Sequence, residues 1–196
     1  MYCIALVAAL VLAWTSAPAQ AATGWWTFNR NTNLDSRLSW KWTYPPSPTE
    51  YTRSWRAGSG TSKDECELGN GWLPAGWYSL RGHWKDYDAS KIKGRVWYVQ
   101  DKVCRNGLTQ RTQLFIHSEE TASRGQSCTS VYDDRFCWER ESDYYSDGCI
   151  KVARPSPVAS FPNDLGSAHS TYHDYGGSSK HGLFDKPDKN ELYVFT

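Results

Sequence analysis

The chain predicts a mainly β domain, a sandwich or barrel with little helix, and three observations predict it. Runs of β-branched and aromatic residues recur at short intervals, glycine-rich and Asn-Gly turns separate them, and no segment sustains a 3.6-residue apolar period over three helical turns. With 196 residues, 39% of them hydrophobic, there is enough chain to bury a real core. The formal net charge is +1 and the lysines and arginines are scattered, so there is no electrostatic case for nucleic acid.

Residues 1–21 carry no charge and run Ile4 to Ala13 as an apolar stretch, followed by Ala17-Pro18-Ala19-Gln20-Ala21 with small-x-small cleavage sites. This reads as a secretory signal without the usual basic n-region, and the apolar run is short for a membrane span. The expectation is an exported protein with no stable membrane insertion. Residues 22–54 hold Trp25, Trp26, Trp40 and Trp42 ahead of Tyr44-Pro45-Pro46-Ser47-Pro48, which breaks any helix. They are expected to form an N-terminal arm, packing on the domain or presenting aromatic platforms to a glycan.

From residue 55 to 196 the pattern becomes that of a β domain. Ala57-Gly58-Ser59-Gly60 and Cys66-Glu67-Leu68-Gly69-Asn70-Gly71 are turns, and Pro74 and Gly76 precede a strand through Trp77-Tyr78-Ser79-Leu80. Arg95 to Gln100 and Thr112 to His117 are strands by their β-branched and aromatic content, and the second places His117 at a strand end. Residues 119–145 form a long polar insert, whose paired carboxylates Glu119-Glu120 and Asp133-Asp134 read as solvated surface. Cys149 to Val152 resumes a strand that Pro155-Ser156-Pro157 ends, and Glu191 to Thr196 is a last strand. His169 and His173 are four apart, with Asp174 beside them and His181 following, the spacing of a metal pair on a helix. However, Ser167, Ser170, Gly176, Gly177 and Ser178 point to a loop there, and no metal site is expected.

Export makes the cysteines informative. Loss of Cys3 with the signal leaves Cys66, Cys104, Cys128, Cys137 and Cys149, an odd number in an oxidising compartment. The simplest pairing is Cys66 with Cys104 and Cys128 with Cys137, the latter stapling the insert and leaving Cys149 free. Cys149 follows Gly148, and His117 is available as a proton acceptor, so thiol and imidazole together suggest a nucleophile and its base. The alternative for a Gly-Cys pair taken alone is a buried or bridged cysteine after a turn.

Ile116-His117-Ser118, an insert, and then Ser146-Asp147-Gly148-Cys149-Ile150-Lys151-Val152 resemble the L,D-transpeptidase (YkuD-type) catalytic domain, whose hallmark is a strand-end His followed by Ser/Thr-His-Gly-Cys-aliphatic-Arg-aliphatic. The likeness extends to Ala57-Gly58-Ser59-Gly60 and Leu73-Pro74-Ala75-Gly76-Trp77-Tyr78, covering roughly residues 55–155. Asp147 replaces the usual His, Lys151 the usual Arg, and the His-to-Cys interval is long. Sortases share the His-before-Cys order, with Arg154 a counterpart of their Arg, but the glycine before Cys149 sets this chain apart.

The resemblance implies a cofactor-free acyl transfer on peptidoglycan stem tetrapeptides in the cell envelope. Cys149 would attack, His117 would move the proton, Ser118 would orient the imidazole, and Gly148, Cys149 and Asp147 would hold the oxyanion. Tyr145, Ser146 and Lys151 would line the substrate. An amine acceptor gives a cross-link and water gives a carboxypeptidase. The same chemistry suits an exported effector against a rival's wall, and Asp147 leaves open a non-catalytic wall-binding domain.

Overall fold

The computed structural model describes residues 21–32, 36–118, 120–123, 146–152, 164–184 and 191–196. Eleven strands and one helix follow in order: β1 (Thr23–Asn29), β2 (Ser36–Thr43), β3 (Glu50–Gly58), β4 (Gly76–Asp88), β5 (Lys93–Val99), β6 (Lys102–Val103), β7 (Gln110–Arg111), β8 (Leu114–His117), β9 (Ile150–Val152), α1 (Asp164–Asp174), β10 (Gly182–Leu183) and β11 (Glu191–Phe195). The main sheet runs β4-β11-β1-β2-β3-β9-β8-β5, and β5 pairs back onto β4, so it closes on itself as a barrel. Short β10 attaches outside this cycle to β4, and β6 and β7 make a separate hairpin. The mainly β expectation therefore holds, in its barrel form.

Alternation along each strand decides what fills the barrel. Trp26 and Phe28 of β1, Leu38 and Trp40 of β2, Trp55 and Ala57 of β3, Ile116 of β8, Ile150 and Val152 of β9 and Leu192 and Val194 of β11 all point inward and are buried. Register aligns them in layers: Trp26 lies opposite Trp40 and Leu192, Leu38 opposite Trp55, and Ile116 opposite both Trp97 and Ile150. Indole rings fill the middle, with Trp26 edge-on to Trp40 at 4.9 Å and to Trp97 at 5.2 Å. Helix α1 buries Leu165, Ala168 and Tyr172. Tyr172 touches Trp40 of β2 and Trp97 of β5, strands on opposite walls, so the helix lies across the lumen and closes it.

Two expectations are corrected here. Residues 22–54 are not an arm: β1 and β2 are barrel staves, and β1 pairs with β11 at the far end of the sequence. Trp26, Trp40 and Trp42 are buried core because strand alternation turns them inward, whereas Trp25, next to Trp26, is only partly buried. The segment around His169 and His173 is helix through Asp174, and the glycines read as loop residues, Gly176 and Gly177, follow its end.

The Cys66–Cys104 disulfide is present, and Cys149 is free and buried. The leader, apart from Ala21, the Cys128–Cys137 pair, Arg154, Tyr145 and nearly all of the polar insert lie outside the described residues. Among those described, no helix is long and apolar enough to cross a membrane.

Candidate active site at Cys149 and His117

β8 and β9 are parallel neighbours, with Ile116 opposite Ile150 and His117 opposite Lys151. The two isoleucines face the lumen, so His117 and Lys151 face the other way. Cys149, two residues before Lys151, lies on that same outer side, where it borders a groove of about 1660 Å³ together with His117, Ser118, Asp147 and Lys151. Strand spacing and rise put the Cα atoms of Cys149 and His117 about 8 Å apart on the diagonal. Trp84, Tyr87, Tyr98 and Phe115 supply the groove's aromatic wall, and Lys91 and Arg111 supply positive charge.

The imidazole is held by a contact from Nδ1 to the Ser118 carbonyl at 3.1 Å. A carbonyl only accepts, so Nδ1 carries the proton and Nε2 keeps its lone pair, the tautomer that a general base needs. Burial, with Lys151 adding repulsion, pushes the His117 pKa down to about 4, so the ring is neutral at pH 7. The Cys149 thiol donates to the Gln113 carbonyl at 3.6 Å. Burial raises its pKa to about 11; the Phe115 backbone amide opposes that rise and the Asp147 carboxylate adds to it. Thiol and imidazole therefore both rest neutral, not as thiolate and imidazolium.

This state sets a measurable pH profile. At pH 7 about one thiol in 10⁴ is ionised. Iodoacetamide labelling of Cys149 is expected to be slow at neutral pH and to rise about tenfold per pH unit until it levels off near pH 11. A rate that is flat and fast below pH 8 would mean an ion pair and contradict the neutral resting state.

The turn before Cys149 is built by a buried arginine that the sequence did not single out. Arg111 is 2% exposed, and its Nη1 donates to the carbonyls of Glu65 and Trp72 at 2.6 and 3.4 Å. Its Nη2 donates to those of Gly71 and Asp147 at 3.1 and 2.9 Å. It thereby laces the 60–73 loop to the Cys149 turn. Gly148 has φ +98°, and a Cβ there would lie 1.8 Å from Arg111 Nη2. The close approach that glycine permits is thus made by Arg111.

Serines complete the scaffold. Ser59 Oγ accepts from the Leu73 amide at 2.9 Å and donates to the Gly148 carbonyl at 3.3 Å. Ser146 Oγ donates to the Cys149 carbonyl at 2.6 Å and accepts from the Gly60 amide at 3.1 Å, so this candidate substrate contact is engaged in holding the turn. Ser59→Ala is expected to cost about 1–3 kcal/mol, read as a lower urea midpoint at unchanged slope. A change below 0.5 kcal/mol, on the order expected of a surface site, would deny it this role.

The other sequence candidates are placed as follows. Asp147 has a 72% exposed side chain with Lys91 Nζ 3.8 Å from its carboxylate, and its carbonyl is taken by Arg111. Lys151 is 2% exposed and forms groove wall beside His117. A residue without a sequence signal, Gln113, has φ 56°, a conformation a non-glycine residue rarely adopts, and its amide is pinned by Asp101 Oδ1 at 3.0 Å. The carbonyl that receives the Cys149 thiol belongs to this residue.

His117 also shapes acid stability. Its folded pKa of about 4 lies below the ordinary 6.5, so between those values the unfolded chain binds more protons and stability falls as pH falls. The shift corresponds to at most about 3 kcal/mol. Between pH 6.5 and 4, His117→Gln is expected to lose correspondingly less stability than the parent in urea titrations. Equal losses would show that the ring titrates normally.

Comparison of the chain with protein-family models, with curated proteins and with solved structures finds no match to any of them.

Proposed function

We propose that the protein is an exported cysteine acyltransferase of the L,D-transpeptidase type, acting on peptidoglycan stem peptides through a thioester at Cys149. The observation that supports the reading is that a free thiol and a buried imidazole, whose Nδ1 faces the Ser118 carbonyl, line one groove at adjacent parallel strands. The Cys66–Cys104 bridge fits an oxidising compartment, in which an unpaired cysteine is otherwise a liability.

In this reading a stem tetrapeptide lies in the groove, its carboxylates drawn to Lys91 and its apolar parts set against the aromatic wall. His117 Nε2 accepts the thiol proton as sulfur attacks the carbonyl of the third residue. The tetrahedral intermediate collapses, the C–N bond to the terminal D-Ala breaks, and the imidazolium returns the proton to the leaving amine. The turn amides of Gly148 and Cys149 are the donors proposed for the oxyanion. A side-chain amine of a second stem, or water, then resolves the thioester. Because thiol and imidazole are both neutral at rest, proton transfer accompanies attack and does not precede it.

The second reading is a non-catalytic wall-binding domain. It is favoured by one feature: among the described residues no hydrogen bond joins the thiol to His117, and Sγ bonds Gln113. Release of D-alanine from a stem tetrapeptide by the native chain, and its absence with Cys149→Ala, supports the enzyme. Binding of peptidoglycan sacculi without D-alanine release supports the binding domain.

A further inference from the structure

The chain contains five histidines, and the four other than His117 meet in one cluster, none of them lining the Cys149 groove. His83 of β4, His169 and His173 of α1, and His181 just before β10 form one cluster. Ring centroids are 4.8 Å apart for His83 and His169, 4.9 Å for His83 and His181, 4.9 Å for His83 and His173, and 4.5 Å for His169 and His173.

The fold goes out of its regular course to make this cluster. Strand β4 points Tyr78 and Leu80 inward, and strict alternation would send Gly82 in and His83 out. A register shift between Leu80 and Gly82 reverses the phase, and His83 turns to the lumen opposite Trp97. There it is fully buried, stacked on Trp97 at 5.1 Å. Neither ring nitrogen makes a hydrogen bond; the Lys180 backbone approaches the ring without hydrogen-bond geometry. A neutral imidazole always carries one N–H and one lone pair, and leaving both unsatisfied in a core costs free energy that a phenyl ring would not. Nε2 of His173 likewise has no hydrogen-bond partner.

We propose that these histidines bind a divalent first-row transition-metal ion of the zinc class. His83, His169 and His181 supply three nitrogens, and His173, one turn from His169 on the same helix face, supplies the fourth. One ligand nitrogen from each of the first three lies within 4.8 Å of the others. Tetrahedral coordination with metal–nitrogen bonds of about 2.0 Å brings ligand nitrogens to about 3.3 Å from one another, so the rings close in modestly on metal uptake. His181 is exposed and next to Gly182, which makes it the ligand best able to move. All-imidazole coordination suits zinc, copper, nickel and cobalt, and disfavours calcium and magnesium, which take oxygen ligands. The ion would tie α1 and the segment before β10 to the barrel wall at β4. The cluster shares no residue with the proposed thiol chemistry, so the two ideas stand or fall separately.

The test uses the tag-free mature chain, stripped with a chelator and titrated with cobalt(II), with zinc(II) competition. Expected are one equivalent bound, the intense visible bands of tetrahedral cobalt, and a rise in melting temperature on zinc addition. His181→Ala, at an exposed position that leaves the core intact, and His83→Gln are each expected to weaken binding by more than the roughly 10–100-fold associated with outer-shell partners. Cys149→Ser is expected to bind normally. The proposal is overturned by no stoichiometric uptake, by affinity unchanged in His181→Ala, or by a sulfur-to-cobalt charge-transfer band that disappears in Cys149→Ser.

Discussion

Arg111→Met is expected to destabilise the chain by about 3–5 kcal/mol and to remove any reaction at Cys149. The guanidinium is 2% exposed and serves the carbonyls of Glu65, Gly71 and Trp72 in one loop and of Asp147 far along the chain. Methionine fills much of the volume but donates nothing, so buried carbonyls lose their donors and the turn before Cys149 loses its tie to the 60–73 loop. Arg111→Lys restores charge without the fork and is expected to recover only part of the loss. Equilibrium urea unfolding of the three proteins measures this. A loss below 1 kcal/mol, on the order of one ordinary hydrogen bond, would show that solvent replaces the guanidinium and that the turn is held by Ser59 and Ser146 instead.

The largest catalytic effect is expected from Cys149→Ala, a fall in D-alanine release on the order of 10³ or more with a stability change within about 1.5 kcal/mol. The cysteine is buried, yet its thiol meets only backbone, a long contact to the Gln113 carbonyl and the Phe115 amide, so the fold depends on it far less than the chemistry does. His117→Asn is expected to cost about 10²–10⁴ in rate. Combining the two is expected to cost little more than Cys149→Ala alone, because thiol and base act as one unit. Independent, multiplying effects would mean that His117 serves substrate binding and some other group accepts the proton.

Much of this architecture is legible in local sequence pattern. β4, β5, β8, β9 and β11 are visible as alternating β-branched and aromatic runs between Gly and Pro turns, and His117 at a strand end follows from that. Cys149 as the odd thiol follows from parity in an oxidising compartment, and the Cys66–Cys104 bridge agrees with the simplest pairing.

The rest is hidden because it is non-local. β1 and β2 alternate as well as any strand, but the pairing of Trp26 with Leu192 joins the two ends of the chain, and nothing near Trp26 announces it. The Pro-rich stretch after β2 looks like the end of an arm and is a connection between staves. Helix α1 lacks a broad apolar stripe because the lumen it covers is already filled with tryptophan, and Leu165, Ala168 and Tyr172 suffice. Arg111 is one basic residue among 22, and its role depends on carbonyls of the 60–73 loop and of Asp147, segments that only the fold brings together. His83 joins the other histidines through a bulge, which sequence spacing does not reveal.

The central claim is that Cys149 forms a thioester with a peptidoglycan stem. Intact mass of the native, non-reduced chain after brief incubation with a stem tetrapeptide and acid quench tests it most directly. The account predicts an adduct equal to the stem without its terminal D-Ala, mapped to Cys149, hydroxylamine-labile, and absent in Cys149→Ala. Unmodified mass while D-alanine is released, or an adduct on any other residue, would contradict it.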